Sequence, residues 1–257
     1  MTRMTANAPD GTPCWLDLGV PDIDRAKTFY GGLFGWEFRD EGAETMHYNT
    51  CLLDGVPVAA MVPDTEAGAR EFWWQVYFAT GDCDGTAKRA TDAGGAVLVG
   101  PFDVMEQGRM AVVRDSVGAQ FGLWQGNVHI GSQIVNEPGT LVWSELFTTE
   151  GEAARRFYRA VFEHDAQEVP DLPSFHVLAR PDGRMIGGIQ QDASVERSTW
   201  LTYFEVEDAD AALRRVREGG GTVLEEAQDT PYGRLAKVAD PFGVPFLVMR
   251  SAQPDEA

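Results

Sequence analysis

The chain has 257 residues, 44% of them hydrophobic and seven of them tryptophan, enough apolar material for two compact domains and too much for a disordered chain. Its formal net charge of −19 argues against nucleic acid and anionic membrane surfaces as partners, because both would be repelled. The N-terminal MTRMTANAPDGTP has no apolar signal-peptide core, no run reaches membrane-span length, and Cys14, Cys51 and Cys83 show no CxxC spacing, so a cytoplasmic protein with reduced thiols is expected.

Residues 1–12 read as a flexible tail. In PCWLDLGV (13–20), Leu16, Leu18 and Val20 alternate with Trp15, Asp17 and Gly19, the period of a half-buried strand. Pro21 and Asp22 break the strand, and Asp22 or Asp24 caps a helix whose apolar positions are Ile23, Ala26, Phe29, Tyr30 and Leu33. Gly35 ends that helix. Short strands are expected at 37–39, 46–53 and 56–62, followed by a polar connector over 63–69. A second cycle opens with the strand FWWQVYFA (72–79). Its helix spans 82–93, is lined by Ala87, Ala90 and Ala93, and stops at Gly94–Gly95. Strands follow at 97–99, 110–114 and 120–125. The stretch GNVHIGSQIVNEPG (126–139) reads as a linker wrapping over the surface. The acidic stretch after Arg250 reads as a second flexible tail.

The second half restates the first. In LVWSELFTTEGEAARRFYRAVFEH, Trp143 answers Trp15, Glu145 answers Asp17, and Phe157–Tyr158 answer Phe29–Tyr30. Trp200 and Tyr203 answer Trp74 and Tyr77, and Asp240 and Gly243 answer Asp115 and Gly118. A repeat of this length predicts four βαβββ units in two homologous halves, 13–125 and 140–250. The fold class is α+β, each half forming a cupped mixed sheet with its helices outside the cup. A cup is a place for a small molecule.

The stretch D-x-x-x-A-x-x-FY-x-x-x-FGW (Asp22 to Trp36), its echo ending in FYRAVFEH, the two strand–helix–Gly-Gly units and DPFGVPFLV (Asp240 to Val248) together resemble the vicinal oxygen chelate superfamily of glyoxalases, bleomycin-resistance proteins and extradiol dioxygenases. The resemblance covers nearly the whole chain and implies that fold in its tandem form. In metal-dependent members of the family, His, Gln and Glu side chains at fixed strand positions hold a divalent ion. Carried over here, those positions fall on Trp15, Gln75 and Gly122 in the first half, and on Trp143, Leu201 and Leu247 in the second. Only Gln75 could ligate, so the usual metal centre is not expected.

With Leu16 and Leu18 turned toward the helix, Trp15 and Asp17 face the first cup, joined by Gln75, Tyr77, Gln120 and Trp124. The second cup receives Trp143, Glu145, Phe147, Leu201, Tyr203, Glu205 and Met249. His47, in HYNTCLL, and His176, in HVLARPD, occupy matching places and are expected to give each half a histidine beside its acid. Rings stack on flat ligands, and a carboxylate near a His orients a ligand or acts as an acid–base pair. The plainer alternative is that Trp15 and Trp143 fill core once given to a metal, and that the histidines are structural. Asp17 and Glu145 resist that alternative, because an unpaired acid on an inner strand face costs several kcal/mol unless paired or wet.

The expectation is therefore a cofactor-free, metal-independent protein, monomer or homodimer. It binds an aromatic or partly apolar metabolite or drug, for sequestration or modest acid–base chemistry. The alternative is a lyase or dioxygenase whose metal is held by atypical ligands from His47, His176, Asp17 and Glu145.

Overall fold

The computed structural model describes residues 2–64, 71–170, 172 and 174–252; the connector over 63–69 and the C-terminal tail fall largely outside them. Strand β1 is Thr2–Arg3. The first half then runs β2 (Pro13–Val20), α1 (Ile23–Phe34), β3 (Glu37–Asp40), β4 (Asn49–Leu53), β5 (Val56–Pro63), β6 (Trp74–Ala79), α2 (Cys83–Asp92), β7 (Ala96–Val104), β8 (Gly108–Arg114) and β9 (Gln120–Gly126). After β10 (Ile134–Val135), the second half runs β11 (Leu141–Thr148), α3 (Gly151–Phe162), β12 (Asp165–Glu168), β13 (Phe175–Ala179), β14 (Met185–Gln191), β15 (Thr199–Glu205), α4 (Ala209–Glu218), β16 (Thr222–Thr230), β17 (Gly233–Ala239) and β18 (Pro245–Ser251). Among the described residues no helix is long and apolar enough to cross a membrane.

Each half closes one eight-stranded mixed sheet, in the order β3-β4-β5-β2-β6-β9-β8-β7 and its repeat β12-β13-β14-β11-β15-β18-β17-β16. The predicted α+β class and the two homologous halves are what the chain forms. Local chemistry sets the elements. Asp22 accepts from Arg25 N at 3.0 Å to cap α1, and Gly35, at φ 75°, closes it in the left-handed region. Asp82 and Asp208 cap α2 and α4 in the same way, through Gly85 N and Ala211 N.

Relative to each cup the helices lie on the convex, outer side. In the whole molecule those convex sides face each other: α1 packs on α4 and α2 on α3. The main core is therefore shared. Phe34 of α1 lies 4.8 Å from Phe204 of the opposite sheet, and Phe162 of α3 stacks 5.4 Å from Phe78. Two reciprocal hydrogen-bond chains cross between the halves. Trp74 Nε1 donates to Tyr30 Oη (3.2 Å), which donates to Asp240 Oδ2 (3.1 Å); Trp200 Nε1 donates to Tyr158 Oη (2.8 Å), which donates to Asp115 Oδ2 (2.8 Å). The remaining oxygen of each Asp closes its own turn, accepting from Val117 N and Ala119 N, or from Phe242 N and Val244 N.

Three expectations need correction. Residues 2–12 are not a free tail: β1 pairs with β10, Gly11 N donates to Ala79 O, Asp10 accepts from Gly81 N, and the Gly11 carbonyl lies 2.9 Å from His164 Nε2. The linker does not merely cross the surface, since Ser132 N donates to Cys14 O, Gln133 N to Pro57 O, and Ile134 is buried. The strand expected from 46 begins only at Asn49, because Met46 and His47 both take left-handed φ values (55° and 56°) that no strand accommodates.

Candidate functional site

The register of β2 against β6 pairs Trp15 with Tyr77 and Asp17 with Gln75, and β9 lies beside β6 with Gly122 opposite Tyr77. Alternation then puts Trp15, Asp17, Gln75, Tyr77, Gln120 and Trp124 on one concave face. Leu16, Leu18 and Val76, with no exposed surface, fill the helix side. Asp17 is the centre of this face. Its Oδ2 accepts from Tyr77 Oη at 3.0 Å and lies 3.4 Å from Tyr48 Oη, which itself accepts from Trp15 Nε1 at 2.8 Å. Burial raises the Asp17 carboxyl to about 7, with the two tyrosine hydroxyls pulling the other way. Beside it, Gln75 Oε1 accepts from Gln120 Nε2 (2.8 Å) and Trp73 Nε1 (3.2 Å).

These side chains border a cavity of about 640 Å³ lined by Asp17, Phe72, Trp73, Gln75, Tyr77 and Gln120, among others. Elsewhere on the concave face, the linker covers Trp15 and Trp124. The His129 ring meets Trp15 edge-on at 4.2 Å between centroids, and its carbonyl accepts from Trp124 Nε1 at 2.8 Å. Burial lowers the His129 imidazole to about 4, so it is neutral at physiological pH. Trp15 and Trp124 are thus walls of a plugged end, and the open end belongs to Asp17, Gln75, Tyr77 and Gln120.

The second cup keeps the acid and loses most of the polarity. Trp143 pairs with Tyr203 across β11 and β15, and Tyr203 Oη donates to Glu145 Oε2 at 2.8 Å. Burial raises Glu145 to about 7. Leu201, Leu247 and Met249 complete an apolar floor with Trp143 and Phe147 against it. The Lys237 ammonium sits 5.8 Å over the Phe147 ring. Glu205, expected as a ligand contact, is engaged by Ser251, whose N and Oγ donate to it at 2.9 and 2.5 Å.

The histidines do not join the cups. His47 is on the surface, its Nδ1 2.9 Å from Asp40 Oδ2 with more than half of the side chain exposed. His176 lies beside Arg155 of α3, on the helix side. Nor do the two match. Glu168 pairs with His176 and Asp40 with Asn49, so the counterpart of His176 is Asn49, two residues past His47. Tyr48, Trp73 and His129 were missed. Tyr48 was legible as the ring next to His47 in HYNTCLL; His129 carried no signal, because a linker has no periodicity to read.

The family's metal does not fit this chain. Of the three slot positions in the first cup only Gln75 carries a donor, and it is bonded to Gln120 and Trp73. A Cβ built at Gly122 would lie 2.0 Å from Tyr77 Cδ1, so no ligating side chain has room there. The atypical set fails as well, since Asp17 and Glu145 stand in different sheets. Among the described residues no three His, Cys, Asp or Glu side chains cluster closely enough to hold an ion.

The profile of the Glyoxalase/Bleomycin resistance protein/Dioxygenase superfamily matches residues 14–123 and 140–248. The chain belongs to this superfamily. It is 38% identical over 251 residues to CFP32 of Mycobacterium tuberculosis, covering 94% of this chain and 95% of that one. It is also 38% identical over 279 residues to the anthracycline biosynthesis protein DauV of Streptomyces sp. strain C5, covering 99% and 98%. Among solved structures, the Mn(II)-bound glyoxalase from Novosphingobium aromaticivorans superposes with a TM-score of 0.67 over 95% of this chain and 84% of that one, at 13% identity. That last likeness is one of fold alone. This chain has the paired cups, and the positions that the sequence resemblance assigns to metal ligands carry mostly aromatic, aliphatic and glycine residues.

Proposed function

We propose that the chain binds a flat, partly apolar, oxygen-bearing aromatic molecule in the open end of its first cup, without a metal. The observation that carries this reading is the cavity itself: Phe72, Trp73 and Tyr77 offer ring surface, and Gln75, Gln120 and Asp17 converge as polar groups between them. Two amides and a carboxyl suit carbonyl and hydroxyl groups on a ring system. A carboxyl poised near 7 donates a hydrogen bond when protonated and accepts a proton when ionised, which supports modest acid–base chemistry on a bound phenol or enol. The relative named for anthracycline biosynthesis supports a polycyclic ligand class. The fully buried thiols of Cys14 and Cys51 are pushed far up by burial and play no nucleophilic part.

Titration with a dihydroxyanthraquinone, followed by tryptophan fluorescence, tests the reading. One molecule is expected to bind per chain, unaffected by EDTA, and Trp73→Ala weakens it about tenfold through lost stacking. Binding indifferent to Trp73→Ala, or lost together with a stoichiometric co-purifying metal, would overturn the proposal.

A further inference from the structure

The pseudo-symmetry of the halves singles out a second groove. In the first half the linker backbone lies across the mouth between β2 and the β4–β5 hairpin. Ser132 N donates to Cys14 O (2.7 Å), Gln133 N to Pro57 O (2.8 Å), and Ser132 Oγ to Val58 O (2.7 Å). Gly131 makes the approach possible, since a Cβ there would lie 2.4 Å from Cys14 O. The strand registers, Asp17 on Ala60 and Glu145 on Gly188, carry Cys14, Pro57 and Val58 onto Val142, Met185 and Ile186. Those three residues line a cavity of about 640 Å³ between β11, the β13–β14 hairpin and the N-terminal segment around Met4–Pro9.

The rim has changed sign chemistry. Leu53 and Val56, paired at the tip of the first hairpin, are apolar; their counterparts at the tip of the second are Arg180 and Arg184, joined by Arg180 N donating to Arg184 O. Arg180 is held by Asp182 and donates to Thr12 Oγ1 at 2.7 Å, while the exposed Arg184 has no ion pair among the described residues. Ser144, which also lines this cavity, has a buried hydroxyl without a partner among the described residues. We propose that this groove docks an extended acidic peptide segment of a partner protein. Its backbone runs where the linker runs in the first half, and its carboxylates meet Arg184 and Arg180. The groove is separate from the first cup and its ligand, so the proposal stands independently of the small-molecule reading.

The test uses the full chain and two labelled peptides in fluorescence anisotropy. One is the linker sequence NVHIGSQIVNE (residues 127–137) and the other is the same peptide with Asn127→Asp and Asn136→Asp. Saturable binding of the more acidic peptide is expected, tighter than that of the native linker sequence, with a change in Trp143 fluorescence because that ring lines the groove. Arg184→Glu, at an exposed position that leaves folding intact, weakens the acidic peptide about tenfold or more and spares binding in the first cup. Three results would each overturn the proposal. They are no saturable binding of the acidic peptide at millimolar concentration, binding indifferent to Arg184→Glu, and tighter peptide binding by a chain ending at Ala252, which would give the groove to the chain's own C-terminal residues.

Discussion

Asp17 shows how a single residue ties sequence to chemistry. An acid placed on the inner face of a strand must be wet, paired or neutral, and here two tyrosine hydroxyls pair it while burial favours its neutral form. Because burial raises its pKa, the fold favours the protonated form. Its contribution to stability is fully present below the unfolded value of 3.8 and is lost as pH rises through about 7. Asp17→Asn keeps an acceptor for both hydroxyls and cannot ionise. Relative to the wild type it should gain about 1–3 kcal/mol at about pH 8 and nothing near pH 4. Urea midpoints measured across that range decide it; a variant less stable than wild type on the alkaline side contradicts the sign. His47 teaches the opposite lesson. Its sequence context copied that of a strand residue, but two left-handed residues turned it onto Asp40.

At the scale of elements, period-two alternation in β2, β6 and β9 was enough to sort core from cup. Those faces hold in the structure down to the helix-facing Leu16 and Leu18. Strand β9 also limits what the cup can hold. Gly122 lies under Tyr77, and Tyr77 is pinned by Asp17. Gly122→Ala therefore pushes the ring off the carboxyl, with an expected cost of about 1–3 kcal/mol from overpacking. Denaturation measures that loss. The Asp17→Asn substitution made in the Gly122→Ala background should then show a larger alkaline advantage, because loss of the Tyr77 hydrogen bond leaves burial less opposed. The linker could not be read at this scale, because residues 126–133 fold against the rings of Trp15 and Trp124 and show no pattern of their own.

At the scale of the whole molecule, the two halves share one core. The main apolar cluster runs through both, and each half's Phe-Tyr helix sends a tyrosine to the turn aspartate of the other. Tyr158→Phe strands Asp115 Oδ2 and Trp200 Nε1 in the core, so the chain should lose about 1–3 kcal/mol while still unfolding in one step. Fluorescence and far-UV circular dichroism should give coincident transitions. Separate transitions for the two halves would show that the shared core does not couple them.

The sequence by itself determined the four units, their order, the capping of the first helix and the sorting of Leu16 and Leu18 from Trp15 and Asp17. All of these follow from periodicity and short-range chemistry that repeat within the chain. The family resemblance further implied that aromatic, aliphatic and glycine residues stand in most of the metal-ligand positions. Only the tertiary structure decided that His129 plugs one end of the first cup, that His47 and His176 stay out of both cups, and that Glu205 is engaged by Ser251. It alone showed that Tyr30 and Tyr158 reach across to Asp240 and Asp115. Each of these depends on contacts between residues far apart in the chain, where no local period constrains the partner and the packing of two sheets back to back selects it.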